Sequence, residues 1–301
     1  MKKNNLVIGS LCALGCEIIY GMSCIFTKKA TAVAGELPLL GWRFFLAFAV
    51  MSLCVVLGII KVNLRGKKLR PLLLVALFSP VIYFVSETAG ISNTTASESG
   101  VFLACIPVAS LIASTMILHK KPSKWQVAGI LTTLMGVSIT VFAVGVSSSF
   151  SVRGYVFLMA AVISYALYAV FVDRAADYSG VEITYIMLAA GASVFVFLSI
   201  AEGIINDSLT QLLTLPIRER DFLSAILYQG LGCSIVAFFL SNEAIAKIGV
   251  NRTSSFIGVA TVVSIVAGAV LLYEVFTIWQ AVGAVTIIIG VYTANMKKVE
   301  K

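Results

Sequence analysis

Residues 120–140 read KKPSKWQVAGILTTLMGVSIT, and residues 274–294 read EVFTIWQAVGAVTIIIGVYTA. At a shift of 154 positions, which carries residue 120 onto residue 274, Trp125-Gln126 falls on Trp279-Gln280, Gly129 on Gly283 and Gly136-Val137 on Gly290-Val291. Upstream in the same register, Phe102 falls on Phe256. Trp and Gly recur in any apolar helix, but coincidences held in one register point to two copies of one unit. Each stretch also carries about 20 consecutive residues of mostly apolar character, enough to cross hydrocarbon about 30 Å thick.

Runs of that length fill the chain. Hydrophobic residues make up 59% and charged residues 12%, with a mean hydropathy of +1.01, far from the roughly 25% charged of soluble domains. The apolar runs are continuous rather than alternating, which excludes a membrane β-barrel. Ten transmembrane helices are predicted, near 6–28, 38–60, 71–91, 95–118, 125–146, 153–173, 182–204, 222–242, 253–273 and 277–296. The fold class is an all-α integral membrane protein, with one five-helix repeat over 1–147 and a second over 148–301. Lys2-Lys3 before an apolar run could mimic a secretory signal, but the run is too long and carries Glu17, so no cleavage is expected.

The basic residues set the expected topology. With a cytoplasmic N-terminus, the inner segments hold Lys2, Lys3, Lys61, Arg65, Lys67, Lys68, Arg70, Lys120, Lys121, Lys124, Arg174, Lys247, Arg252, Lys297, Lys298 and Lys301. The outer ones hold Lys28, Lys29, Arg153, Arg218 and Arg220, and this bias predicts an N-in, C-in chain. The net charge of +8 is therefore topogenic. It is spread over alternating loops rather than one stripe, so nucleic acid is not an expected partner. Five spans per unit, an odd number, place the two copies in opposite orientation. Lys120, Lys121 and Lys124 before the first Trp-Gln pair, against Glu274 and no basic residue before the second, agree with that inversion. Inverted repeats are a transporter design, because exchanging the conformations of the halves opens one central site to alternate sides.

At this point the chain resembles the EamA-type ten-helix proteins of the drug/metabolite transporter superfamily over essentially its full length. The carrying stretches are IIYGMSCIFTKKA in the first helix, YFVSETAGISNTTASESGVFLACIPV over helices three and four, WQVAGILTTLMGV in helix five, and EAIAKIGVNRTSSFIGVATVVSIVAGAVLLYEVFTIWQAVGAVTIIIGV near the end. Tyr20-Gly21 stands where the family's usual Trp-Gly would, His119-Lys120 replaces the usual acidic residue after helix four, and Thr261 is the second-half counterpart of Pro107. The resemblance implies a secondary transporter, commonly an exporter of amino acids or other small metabolites, multi-pass in a bacterial-type inner membrane. The partners it implies are a small-molecule cargo and the lipid bilayer, with a homodimer as an option.

The candidate site residues are the polar ones stranded in oil. A carboxylate at mid-membrane costs at least about 2.5–3.5 kcal/mol, so Glu17, in LCALGCEIIYGMSCIF (residues 11–26), needs a partner, water or a function. It lies about 16 Å along its helix, near the midplane. Gly9, Ala13, Glu17 and Gly21 share one face, with Tyr20 beside them, and small residues there let another helix approach. Desolvation disfavours the ionised form of such a group, which suits it to proton coupling. A structural glutamate bonded across two helices is the alternative. Glu87 shares a face with Tyr83 beyond the kink expected at Pro80, and Arg43 enters helix two from the same side. An Arg43–Glu87 ion pair is expected, as a clamp or as a gate. Tyr165, Tyr168, Tyr228 and Gln229 could add uncharged hydrogen bonds from the second half, though tyrosines in spans are commonly anchors or packed core. A central cavity is expected between helices one, three, six and eight.

No cofactor or metal site is expected. The six cysteines, at 12, 16, 24, 54, 105 and 233, fall inside spans without metal-ligand spacing, and His119, the single histidine, sits among loop lysines. An intramembrane hydrolase wants paired histidines with a glutamate, and phosphoryl chemistry wants grouped acids for magnesium. Neither pattern occurs, so an enzyme is the weaker alternative. A channel-like facilitator, whose filter can be backbone carbonyls, is the other.

Overall fold

The computed structural model describes residues 3–64, 67, 69–94, 102–143, 151–271 and 277–296. Lys2, Arg65, Lys68, Glu274, Lys297, Lys298, Lys301 and the first residues of the predicted fourth span lie outside them. The described residues form only helices and their connections. These are α1 (Lys3–Thr31), α2 (Glu36–Val56), α3 (Arg70–Ala76, a π-helical turn at Leu77–Ile82, then Tyr83–Ser92), α4 (Ile106–Leu118), α5 (Lys124–Ala143) and α6 (Val152–Arg174). There follow α7 (Gly180–Ile205), α8 (Leu209–Arg218), α9 (Arg220–Leu227, a π-helical stretch at Tyr228–Ala237, then Phe238–Ile248), α10 (Val250–Ser255, then Ile257–Leu271) and α11 (Ile278–Asn295). Nine helices among the described residues are long and apolar enough to cross a membrane, and Phe102–Leu118 is a shorter apolar one, giving the ten expected spans.

α8 was not expected. At ten residues it is about 15 Å long, too short to span. It buries Leu212 and Leu215 against Ala30, Leu39, Phe222, Ala225 and Ile226 and leaves Leu213 and Ile217 exposed. Its short apolar face, interleaved with Thr and Gln, carries too little hydrophobic length to stand out beside the spans.

The Trp-Gln repeat has a structural cause. Ser123 and Gln126 bond reciprocally, Ser123 N donating to the Gln126 side chain (2.9 Å) and Gln126 N to Ser123 Oγ (3.1 Å). Thr277 and Gln280 repeat the arrangement at 2.9 and 3.2 Å. Both are capping boxes, in which a Ser/Thr and a Gln three residues on satisfy each other's backbone donors at a helix start. The repeated glycines do a different job. A Cβ on Gly129 would lie 2.3 Å from Ala294 N and 2.5 Å from Gly290 O; one on Gly136 would lie 2.7 Å from Ile287 N and 2.8 Å from Gly283 O. The backbones of α5 and α11 touch there. Because residue 129 meets 290 and residue 136 meets 283, these equivalent helices run antiparallel.

The other helix pairings repeat that relation. α2 and α7, also equivalents, run antiparallel, with Gly41 against Ser199 and Phe48 against Tyr185. α1 packs on α9 and α10, while α6, its counterpart, packs on α3 and α4. Such reciprocal contacts are the mark of a two-fold relation. The π-helical segments agree: residues 77–82 shifted by the repeat fall at 231–236, inside the π-helical part of α9. In α3 the chain kinks at Ser79 (φ −143°, ψ 121°) before Pro80, whose ring removes a donor from the helix. Ser164 of α6 donates to Phe78 O at 2.7 Å there, as intramembrane kinks require of their neighbours.

Candidate functional site

The two ends of the bundle frame the site. One end gathers Lys67 with Glu182 (2.8 Å), Lys120 with Asp173 (2.6 Å), Lys247 with Glu243 (3.1 Å), and Arg174 donating to Ile117 O (2.6 Å). Glu182 also accepts from Asn63 N and closes a capping box with Ser179, so it pins the α2–α3 loop to the start of α7. Residues 61–64, Lys67, residues 117–124, Arg174 and Lys247 thus share one end, as the charge bias requires. His119 is exposed there, in the left-handed conformation that caps α4. At the other end Trp42 donates to Leu212 O (2.9 Å), and a cavity of about 190 Å³ lies among Gly35, Ser199, Glu202 and Gln211.

Glu17 lies midway along α1, 6% exposed. Gly21, one turn on, lets α10 come so close that a Cβ would stand 2.6 Å from Ala260 O. The small-residue stripe therefore does turn α1 toward another helix, and the carboxylate toward the bundle. Among the described residues nothing donates a hydrogen bond to the carboxylate and no Lys or Arg pairs with it. Tyr83, Tyr165 and Tyr168 lie within its electrostatic reach.

Arg43 of α2 is likewise 6% exposed. Its Nε donates to Ser234 Oγ (2.7 Å) and its Nη1 to Gln229 Oε1 at a long 3.4 Å, while Nη2 is buried with no partner. The guanidinium lies over the Phe84 and Phe44 rings, 4.9 and 5.3 Å from their centroids. The expected Arg43–Glu87 ion pair is not formed. Glu87 instead accepts from Tyr83 Oη at 2.7 Å, one turn back on α3, with Arg43 in electrostatic reach but not in contact. The physical reason is local: the phenol is i−4 to the carboxylate on the same helix, whereas Arg43 is drawn to two acceptors on α9.

From Glu87 a line of aromatic and polar groups runs inward. The Tyr83 ring meets Tyr165 at 5.8 Å, and Tyr165 meets Tyr168 at 5.4 Å. Tyr168 Oη donates to Asn242 Oδ1 (2.8 Å) and lies 3.2 Å from Ser241 Oγ; Asn242 in turn donates to Thr184 Oγ1 (3.0 Å). Nearer the opposite end, Tyr228 donates to Ile19 O (2.9 Å) and stacks on Phe26 at 4.2 Å, and Gln229 donates to Thr27 Oγ1 (2.8 Å). α1 and α9 are tied by these contacts.

Glu17, Tyr20, Arg43, Tyr83, Glu87, Tyr168, Tyr228 and Gln229 therefore converge between the halves, on α1, α2, α3, α6 and α9. Glu17, Arg43, Tyr168 and Gln229 are buried there, whereas Tyr20, Tyr83, Glu87 and Tyr228 are half-buried. α2 belongs to the wall, which the expected set of four helices omitted. Ser234 and Asn242 were missed as site residues, although an Asn in an apolar span is a legible signal of a buried bonding partner. Among the described residues no group of three or more His, Cys, Asp or Glu could hold a metal.

The comparisons with known proteins agree with the architecture. The profile of the EamA-like transporter family matches twice, over residues 7–142 and 152–296. "Uncharacterized transporter YcxC" of Bacillus subtilis (strain 168) is 30% identical, covering all of this chain and 97% of that protein. "Uncharacterized transporter YyaM" of the same organism is 26% identical over 98% of this chain and 95% of its own. A solved structure described only as "Crystal structure of protein" superposes with a TM-score of 0.78 at 17% identity, over 98% of this chain and 99% of its own, and shares the fold. The chain belongs to the EamA-like transporter family.

Proposed function

We propose that this multi-pass membrane transporter is a secondary exporter of small metabolites, in which the repeats 1–147 and 148–301 rock about the central cluster and Glu17 carries the coupling proton. The observation that carries the reading is Glu17 itself: a carboxylate buried at mid-helix, with neither hydrogen-bond donor nor cation on it among the described residues, and with Tyr83, Tyr165 and Tyr168 in electrostatic reach. A structural glutamate would be bonded across the helix pair, since an unsatisfied polar group in hydrocarbon is expensive. Left unpartnered, it is a group that takes up a proton in one state and gives it up when water or a cationic group reaches it.

Proton and cargo then compete for one central cluster. A proton moving inward down its gradient displaces cargo outward, with N-in, C-in orientation in a bacterial cell membrane. The test uses purified protein in vesicles, with a cargo selected from a metabolite panel by thermal stabilisation. Glu17→Gln, which mimics the protonated form, is expected to fold and to lose transport driven by a pH gradient, while gradient-free exchange survives if Glu17 handles only the proton. Undiminished gradient-driven transport by a stable Glu17→Gln protein ends the reading. Loss of stability in Glu17→Leu but full transport in Glu17→Gln assigns the residue a structural part.

A further inference from the structure

Arg43 presents the complementary problem to Glu17. Among the described residues it is the one Lys or Arg that lies away from the ends of the spanning helices. A guanidinium in a low-dielectric interior is tolerable only when paired. Yet Arg43 has only neutral acceptors, Ser234 Oγ at 2.7 Å and Gln229 Oε1 at 3.4 Å, the second beyond the usual 2.7–3.2 Å of an N–H···O bond. Its Nη2 has none. Glu87, an acid within electrostatic reach, is held by Tyr83 Oη.

We propose that Arg43 is the anion subsite for the cargo, and that it selects compounds bearing a single carboxylate. The idea rests on the central cluster being the cargo site. The bond from Nε to Ser234 fixes the plane of the fork, leaving the Nη1–Nη2 edge to take two carboxylate oxygens side by side. The long bond to Gln229 is the one displaced. Gln229 keeps its donation to Thr27 Oγ1 and sits in the π-helical stretch of α9 beside Gly230, where a local shift needs no rearrangement of the whole helix. Charge balance sets the class: one cation answers one negative charge, whereas a phosphate dianion would leave an uncompensated charge in the membrane interior. Phe44 and Phe84 over the guanidinium keep water from competing.

The test is equilibrium binding to the whole purified chain in detergent, read by thermal stabilisation without any gradient, so that it can fail while proton coupling stands, or stand while coupling fails. The probes are alanine, leucine, phenylalanine, lactate and pyruvate, each beside its primary amide, with inorganic phosphate, at a pH well above its second pKa, as the dianion. At least one acid is expected to stabilise the wild type at a concentration roughly tenfold or more below its amide, the factor set by charge-assisted over neutral hydrogen bonds, while phosphate does not. Arg43→Gln should erase the acid-over-amide preference and Arg43→Lys retain a weaker one. Gln229→Ala, which removes the competing acceptor, should tighten acid binding severalfold and keeps the proposal testable should Arg43→Gln not fold. No acid-over-amide preference anywhere in the panel, a preference that survives Arg43→Gln, or unchanged acid binding in Gln229→Ala each overturns it.

Discussion

Gly129→Ala is a severe test of the α5–α11 crossing, because what the new methyl meets cannot rotate away. It would lie 2.3 Å from Ala294 N, 2.5 Å from Gly290 O and 2.7 Å from Ala294 Cα, all backbone atoms. Non-bonded carbon contacts settle near about 3.5 Å, so α11 has to retreat locally by about 1 Å. Alanine is the better helix former by about 0.8–1 kcal/mol, but overpacking a well-fitted site costs about 1–3 kcal/mol. With no side chain to give way the loss lies at the upper end, leaving a net destabilisation of about 1–2 kcal/mol. Lipid offers no hydrophobic drive between helices, so the backbone approach is itself the packing. Gly283, the repeat equivalent, would meet backbone at 2.7 Å (Gly136 O) and 3.0 Å (Thr140 N) rather than at 2.3 Å, its shortest approach being to the Thr140 side chain, so Gly283→Ala should lose less. Gly203→Ala, whose nearest neighbour is at 3.4 Å, is the control and should lose nothing. The assay is thermal or SDS unfolding of the purified proteins. Stability of Gly129→Ala equal to that of Gly203→Ala would refute the backbone-contact account.

Two further outcomes follow from the repeat and from the charges. Thr277→Ala and Ser123→Ala each remove one half of a capping box and should each lower stability by about 1 kcal/mol, and Gln280→Ala should match Thr277→Ala because the bonds are reciprocal; a neutral Thr277→Ala protein in the same unfolding assay contradicts this. On a background without the six native cysteines, a cysteine at position 123 should react with membrane-impermeant thiol reagents only from the cytoplasmic side, and labelling only from outside would reverse the proposed orientation.

The fold was legible because membrane insertion leaves few options. Continuous apolar runs have to be spanning helices, and one register of Trp, Gln and Gly exposed the duplication. The same residues also encode local chemistry that the repeat alone does not reveal: Gln126 and Gln280 are capping partners, and Gly129, Gly136, Gly283 and Gly290 are a contact surface. The S-x-x-Q and T-x-x-Q spacing ahead of each apolar run was the available sign of the first. α8 escaped because a ten-residue surface helix shows no long apolar run. The π-helical segments escaped because nothing in composition distinguishes i→i+5 from i→i+4 bonding, Pro80 marking only one of the two.

The charged residues inside the spans were legible and their pairing was not, and the reason bears on mechanism. Position inside a span picks out Glu17, Arg43 and Glu87, since charges in spans are rare and face inward. Which acceptor each one takes depends on differences of an ångström between competing partners, and there Tyr83 wins Glu87 while Ser234 and Gln229 hold Arg43. The backbone obeys the two-fold but the charges do not: at the repeat shift Glu87 falls on Ser241 and Glu17 on Phe171. Equivalent backbones can exchange conformations at little cost, as alternating access requires. On the proposed reading the bias between the two states then comes from the asymmetric part, the proton on Glu17 and the anion on Arg43. A ligand shifts such an equilibrium only by its differential affinity for the two states. Neutralising both residues together should therefore leave a folded protein in which neither pH nor cargo moves the conformational equilibrium.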